Sequence, residues 1–302
     1  METARKQIFE EQGFVIVPNL IPPESRDALE MAAETVVART RSGSWKMRRT
    51  VGRQFPPFFN EDHPDSWGVQ HIMHPDLGEP AFAQWYTSDA LVDVIKELLE
   101  CEEDELQMEL FNMLINPESH AFALRWHRDD VREIATVDEE RKALDVWHCG
   151  VQWNTALYND SCLYVVPGSH KVPRTPEQWA LSSTLDSPDN PMAMPGAVRV
   201  TLQRRFTALK QASAAGETVF YNNNILHCAT YDPEERRATL HASMGDTRGG
   251  ATRARNVLQH GLMWMKEERF RETVDERGKK MLDRLIKLQE SVNGDVGYSL
   301  EN

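Results

Sequence analysis

Residues 107–247 carry the feature that most limits the fold. QMELFNMLI, KALDVWHCGVQWNTAL, SCLYVVPGSH, AVRVTL, ETVFYNN and RATLHASM are short runs rich in strand-forming residues, punctuated by Gly, Pro, Asn and Asp. Parallel strands need crossovers of a dozen or more residues, usually helices. Many short strands without such helices predict an antiparallel barrel or a double-sheet jelly roll rather than an α/β fold.

The flanking segments have a different texture. A short charged helix precedes Gly13, FVIVP reads as a strand, and PPESRDALEMAAETVVA reads as a helix with Pro22 and Pro23 near its start and Glu24 in its first turn. Residues 41–80, rich in Gly, Pro, Arg and aromatic side chains, lack periodicity and read as long loops. ALVDVIKELLECEEDEL has a helical apolar stripe of Val92, Ile95, Leu98 and Leu99. The tail from Ala254 returns to helix, and nothing in it points to chemistry. The expected class is mainly β with flanking helices. The expected organisation is one domain over residues 1–302, with N-terminal helical and loop elements in 1–106, the main β core in 107–247 and a helical extension in 248–302.

Charge narrows the partners. With 34 Lys plus Arg against 47 Asp plus Glu, the net charge of −13 argues against nucleic acid or an anionic membrane as the main partner. The polar start METARKQIFEEQGF is neither a secretory signal nor an anchor, and no apolar run approaches the roughly 20 residues of a membrane span. Cys101, Cys149, Cys162 and Cys228 lack CxxC spacing, which fits free thiols in a reduced, cytoplasmic protein. A small-molecule substrate is the expected partner, and a homodimer is compatible with the chain.

Within ALRWHRDDV, His127 and Asp129 are two residues apart. On a strand or its extension this spacing puts an imidazole and a carboxylate on one face. A second histidine would complete the two-histidine, one-carboxylate set that leaves positions of an octahedral iron open. His227, after the strand ETVFY, fits best, and Arg236 and Arg237 follow it at the start of the next strand, offering a guanidinium for a bidentate carboxylate contact. His148 and His170 compete for the ligand position, although packing and turn closure explain them as well. His120 has no spacing reason to be preferred.

These ordered motifs resemble the phytanoyl-CoA dioxygenase family of Fe(II)/2-oxoglutarate oxygenases. FEEQGFVIVPNLIPPES is similar to the family's N-terminal opening, FNMLINP to its first core strand, and RWHRDD to its metal-ligand segment. NDSCLYVVPGSHK is similar to its most recognisable turn and strand, and LHCATYDPEERRATLH to its distal histidine and arginine region. The resemblance implies a double-stranded β-helix (jelly-roll or cupin-like) core, with non-haem iron, 2-oxoglutarate and O2. It makes His127, Asp129 and His227 the iron ligands, and Arg236 the partner of the distal 2-oxoglutarate carboxylate. Arg237 is the rival, because the spacing from His227 is slightly short and neighbouring strand positions face opposite ways. Met113 and Trp153 are implied to line the co-substrate pocket. Arg128 stands where relatives often carry Gln, Ala229 where they place Ser and Ser161 where they often carry Gly. Thr230 is the candidate replacement hydroxyl. Related halogenases replace the carboxylate with a small residue, so Asp129 argues against halogenation.

The implied reaction couples oxidative decarboxylation of 2-oxoglutarate to succinate and CO2 with oxidation of the substrate, hydroxylation by default. Desaturation, epoxidation and rearrangement use the same ligands. WKMRRTVGRQFPPFF is the leading pocket segment. There Arg48, Arg49 and Arg53 could meet an anionic group, Trp45, Phe55, Phe58 and Phe59 an apolar skeleton, and Arg128 is a further candidate for substrate contact. A small, largely apolar metabolite, such as a natural-product intermediate, is expected, with an acyl-CoA as the alternative. Two other classes fit in part: a cupin-like metal isomerase or hydrolase, which needs no arginine for a 2-oxo acid, and a silent β-barrel binding protein, which needs no ligand set.

Overall fold

The longest strand, Leu106–Ile115, is buried throughout because both of its faces are covered. Phe111, Met113 and Ile115 join the main core, whereas Leu114 turns the other way and packs with Trp67, Ala229 and Tyr231. In this computed structural model, residues 3–51, 65–147, 149–184, 186–206, 213–250, 253, 257 and 262–291 are described.

The strands are β1 (Phe14–Val17), β2 (Arg48–Thr50), β3 (Ser66–Val69), β4 (Leu106–Ile115), β5 (Phe122–Ala123), β6 (Gly150–Ala156) and β7 (Leu163–Val165). They continue with β8 (Val198–Arg199), β9 (Arg204–Phe206), β10 (Ser213–Gly216), β11 (Thr218–Tyr221), β12 (His227–Tyr231) and β13 (Ala238–Asp246). The major sheet runs β1-β11-β6-β13-β4-β3-β2 and the minor one β5-β12-β7-β8, with β9 and β10 as a separate ribbon. Every pairing among the described residues is antiparallel. The mainly β layout matches the texture of residues 107–247.

Helices α1 (Ala4–Gln12), α2 (Pro23–Arg41), α3 (Pro80–Tyr86) and α4 (Asp89–Leu99) precede the core strands. The main core gathers Leu29 and Val36 of α2, Phe82 and Trp85 of α3, and Val92, Ile95, Leu98 and Leu99 of α4 against the outer face of the major sheet. The C-terminal helix Glu276–Glu290 adds Met281, Leu282 and Leu285 to it. Gly13 ends α1 with φ +79°, and a Cβ there would lie 2.5 Å from His170 Nδ1, so glycine is needed for both the turn and the close approach. Among the described residues, no helix is long and apolar enough to cross a membrane.

Two segments differ from expectation. Residues 41–80 are not all loop, since β2 and β3 pair with each other and extend the major sheet through β4. KALDVWHCG does not open as a strand: α5 (Val137–Leu144) ends within it, and the strand begins only at Gly150. Thr136 caps α5 reciprocally with Glu139, and Thr175 does the same with Gln178 for α6 (Pro176–Ser182).

Candidate active site

The two sheets enclose a cavity of about 120 Å³, and His127, Asp129 and His227 lie on its wall. His227 opens β12, and its backbone exchanges two hydrogen bonds with that of His127, at 2.9 and 3.0 Å. This bridge brings the imidazole centroids to 4.2 Å. Each ring is turned the same way. Nδ1 of His127 lies 2.8 Å from the Arg125 carbonyl oxygen, and Nδ1 of His227 lies 2.8 Å from that of Ile225. A carbonyl only accepts, so each Nδ1 carries a proton and each Nε2 is the ring atom left to face a metal.

Asp129 supplies the third donor. Its N–H donates to the Asn223 carbonyl at 3.1 Å, and its Oδ1 lies 3.7 Å from His127 Nε2 and 3.8 Å from His227 Nε2. Oδ2 accepts a hydrogen bond from Gln152 Nε2. One donor atom from each of the three residues lies within 4.8 Å of the others, an arrangement that could hold a metal ion. Burial, reinforced by His227, holds the His127 imidazole well below its ordinary pKa and so neutral. Burial raises the Asp129 carboxyl, against the pull of His227, Gln152 and Arg49. Two imidazole nitrogens and a carboxylate oxygen that converge in this way are a donor set that fits a divalent first-row metal.

Farther along the cavity lies Arg237, which is buried. Its Nε donates to Asp160 Oδ2 at 2.9 Å and to Thr239 Oγ1 at 3.2 Å, and the guanidinium lies 4.8 Å from the Tyr231 ring centroid. Burial works against the Asp160 carboxylate, but Arg237, Thr239 and the Cys162 N–H outweigh it and hold its pKa below the ordinary value. Nη1 of Arg237 is buried without a hydrogen-bond partner among the described residues. Arg49 also lines the cavity, 5.1 Å from the Trp67 ring centroid. His241 Nδ1 and Asn154 Oδ1, 2.8 Å apart, form part of the floor.

Several sequence candidates stand elsewhere. Arg236 is exposed, bonds Glu34 and the Tyr158 hydroxyl at 2.6 Å each, and borders a separate surface cavity. It precedes Arg237 by one residue and faces the opposite way, so the guanidinium in the metal cavity is that of Arg237. Met113 and Trp153 are fully buried in the main core, on the face of β4 and β6 turned away from the cavity. Leu114, Gln152 and Asn154, one residue along, take the lining positions. Thr230 does not line the cavity, whereas Ala229 and Tyr231 on either side of it do. Arg128 is buried away from it, bonding Glu140 of α5 at 2.8 Å and the carbonyls of Ser169, Asn224 and Val172. All three of its nitrogens are engaged in holding loops behind the ligand segment, which leaves none for substrate. Asp130 lines the cavity.

Arg48 bonds Ser66 Oγ at 2.6 Å and does not line the cavity, and Trp45 is a core residue bonded to the Gln70 carbonyl. Arg53, Phe55, Phe58, Phe59 and His148 lie outside the described residues. His170 contacts the Glu10 carbonyl and His120 contacts Asp65, so neither joins the cluster. Sequence reasoning missed Gln152, Tyr221, Ser243, Arg253 and Val257, all of which line the cavity. Alternation from Trp153 would have found Gln152, but nothing in the helical tail singles out Arg253.

The sequence profile of the phytanoyl-CoA dioxygenase (PhyH) family matches residues 9–232. No curated protein matches the chain. Among solved structures, EctD from S. alaskensis with 2-oxoglutarate and 5-hydroxyectoine has a TM-score of 0.57 at 16% identity, covering 83% of this chain and 78% of that one. AviO1 from Streptomyces viridochromogenes Tue57 has a TM-score of 0.54 at 16% identity, covering 80% and 94%. The 2-oxoglutarate-dependent epimerase SnoN from nogalamycin biosynthesis has a TM-score of 0.52 at 16% identity, covering 80% of each chain. These likenesses identify the two facing sheets as a double-stranded β-helix. The profile spans most of the chain, including both histidines and the aspartate of the cluster, and the chain thus belongs to the phytanoyl-CoA dioxygenase family of oxygenases, which use Fe(II), 2-oxoglutarate and O2.

Proposed function

We propose that His127, Asp129 and His227 hold the iron, and that Arg237 rather than Arg236 receives the distal carboxylate of 2-oxoglutarate. The observation that carries this reading is the convergence of both Nε2 atoms on Asp129 Oδ1, in the same cavity as a buried guanidinium with a nitrogen to spare. A cupin-like isomerase or hydrolase would have no use for that guanidinium.

When bound, iron and 2-oxoglutarate supply the oxidising chemistry. The chain's own residues place the reactants. The carbonyls of Arg125 and Ile225 fix the imidazole orientations, Gln152 holds Asp129 Oδ2, and Asp160 with Thr239 sets the plane of Arg237. Leu110, Leu114 and Val257 give the cavity an apolar wall that keeps water from the reacting carbon.

The substrate end we assign to a small, largely apolar group that undergoes hydroxylation, on a natural-product intermediate. Leu110, Leu114 and Val257 support the apolar part, and the place of SnoN in nogalamycin biosynthesis supports the second. The chain reads as one oxygenase unit, since the cavity draws Arg49 from residues 1–106, its ligands from 107–247 and Arg253 from 248–302.

Anaerobic addition of Fe(II) and 2-oxoglutarate is expected to give a weak visible charge-transfer band. Iron bound without that band would overturn the assignment. His127→Ala, Asp129→Ala and His227→Ala are each expected to abolish substrate-dependent succinate formation, and turnover retained in any of them would remove that residue from the ligand set.

A further inference from the structure

Arg128 stands between His127 and Asp129 in the chain, yet it is buried away from the metal cavity and does not line it. A guanidinium so near a cation site opposes metal binding on charge alone. Glu140 of α5 does not cancel that charge, because its Oε1 accepts from Arg128 Nε at 2.8 Å and also from Arg174 Nε at 3.0 Å. Two buried cations share one buried carboxylate, and the three side chains together keep a positive charge. Burying charge is costly, so Arg128 needs a use other than its charge.

The bonds of Arg128 show that use. Its Nη1 donates to the Asn224 carbonyl and, at 2.6 Å, to that of Ser169, and its Nη2 donates to the Val172 carbonyl at 3.0 Å. Asn224 belongs to the loop 222–226, which leads from β11 into His227. The neighbours of Asn224 in that loop are tied in the same way. The Asn223 carbonyl accepts from the Asp129 N–H at 3.1 Å, and the Ile225 carbonyl lies 2.8 Å from His227 Nδ1. The Leu226 N–H donates to Ser169 Oγ at 2.8 Å, and its carbonyl accepts from the Val166 N–H at 2.9 Å. One side chain therefore joins loop 222–226 to the segment carrying His127 and Asp129, and both to the turn at 169–172.

Glu140 carries this grip outward. Its Oε2 accepts from the Arg174 N–H at 3.1 Å, while Arg174 Nη1 donates to the Glu133 carbonyl at 3.0 Å and to Ser182 Oγ of α6 at 2.8 Å. A guanidinium offers five N–H donors in a fixed planar fork, whereas an ammonium offers three on a single nitrogen. The fork of Arg128 reaches Glu140 and three carbonyls at once.

We propose that Arg128, held by Glu140, is a positioning residue for the metal centre: its ion-paired fork fixes loop 222–226 against residues 127–129 and so sets His227 relative to His127 and Asp129. This deepens the oxygenase reading and rests on its ligand assignment.

The test is the Mn(II) affinity of the full chain, measured calorimetrically well below the melting temperature of each variant. Charge and position predict different results. By charge alone, Arg128→Met would tighten Mn(II) binding, and Arg128→Lys, which keeps the cation, would leave it unchanged. The positioning role weakens both by about tenfold or more, the scale of loss when a group supporting metal ligands is removed. Glu140→Gln, which releases the fork, is expected to weaken binding as well. Asp275→Asn is the stability control, since Asp275 caps the C-terminal helix by accepting from the Gly278 N–H at 2.7 Å and lies outside the metal cavity. It should bind Mn(II) within about twofold of the unaltered protein. Tighter or unchanged binding in any folded Arg128 or Glu140 variant overturns the proposal, as does an equal loss in Asp275→Asn. Should Arg128→Met fail to fold, Arg128→Lys decides. His127→Ala separates the two levels. If it binds Mn(II) as the unaltered protein does, the ligand assignment falls and the proposal with it. If it loses binding while the Arg128 variants keep theirs, only the positioning role falls.

Discussion

Arg237 is buried against Asp160 and has one nitrogen without a partner among the described residues, so under the proposed function an incoming carboxylate would meet a donor already held in place. Truncating one member of such a buried charge pair costs about 2–5 kcal/mol. Arg237→Gln is therefore expected to raise the KM for 2-oxoglutarate by roughly 30-fold or more. Arg236→Ala should leave it within about twofold, because Arg236 loses only surface contacts to Glu34 and Tyr158. Succinate assays at varied 2-oxoglutarate would check both, and equal effects would remove the distinction. The pair also shows where residue-level reading of a sequence stops. That His127, Asp129 and His227 gather was legible from the H-x-D spacing together with the resemblance carried by the ordered motifs. Choosing between adjacent arginines needs the phase of a strand whose start is not written in the residue types. The same one-residue ambiguity put Met113 and Trp153 in the pocket when Leu114, Gln152 and Asn154 line it.

At the scale of elements, Asp65 ties the start of β3 to the turn before β5. Its carboxylate accepts from the N–H groups of Glu118, Ser119 and His120 and contacts His120 Nδ1 at 2.8 Å. Burial pushes its pKa up, but the His120 contact and the backbone N–H groups prevail and hold it below the ordinary 3.8. A depressed carboxyl stabilises the fold above its unfolded pKa and loses that contribution as pH falls through the folded value. Asp65→Asn is thus expected to cost about 1–3 kcal/mol at pH 7. The gap to the unaltered protein should narrow below about pH 4. Denaturant unfolding at pH 7 and pH 3 would show this, and an equal gap at both would refute the clamp. Elements were legible in proportion to length. α2 and α4 have several turns of pattern, whereas β2 and β3 have three and four residues and gain their identity from pairing along the edge of the sheet. α5 carried the T-x-x-E signature at Thr136–Glu139, but the strand formers after it, from Val146 to Trp153, dominated the reading.

For the whole molecule, a metal that binds only the folded chain must stabilise it. Fe(II) or Mn(II) at about 100 times its Kd is expected to add roughly 2.7 kcal/mol. A melting temperature that rises with metal concentration and falls back on chelation would show this, and His127→Ala should lack the response. The mainly β architecture was legible as a whole because it rests on average texture over more than a hundred residues, which no single phase error disturbs. A cavity of about 570 Å³ between α1, the loop before β6 and the loop after β11 was not, because these segments are remote in sequence. The backbone bridge between His127 and His227 has a kinetic corollary. The two residues are separated by one hundred positions, so their pairing closes a long loop, a costly step that waits for the strands between them. A chain still emerging from the ribosome would hold two of the three proposed donors, His127 and Asp129, without the histidine that completes the set. Iron capture should therefore come late and report that the barrel has closed.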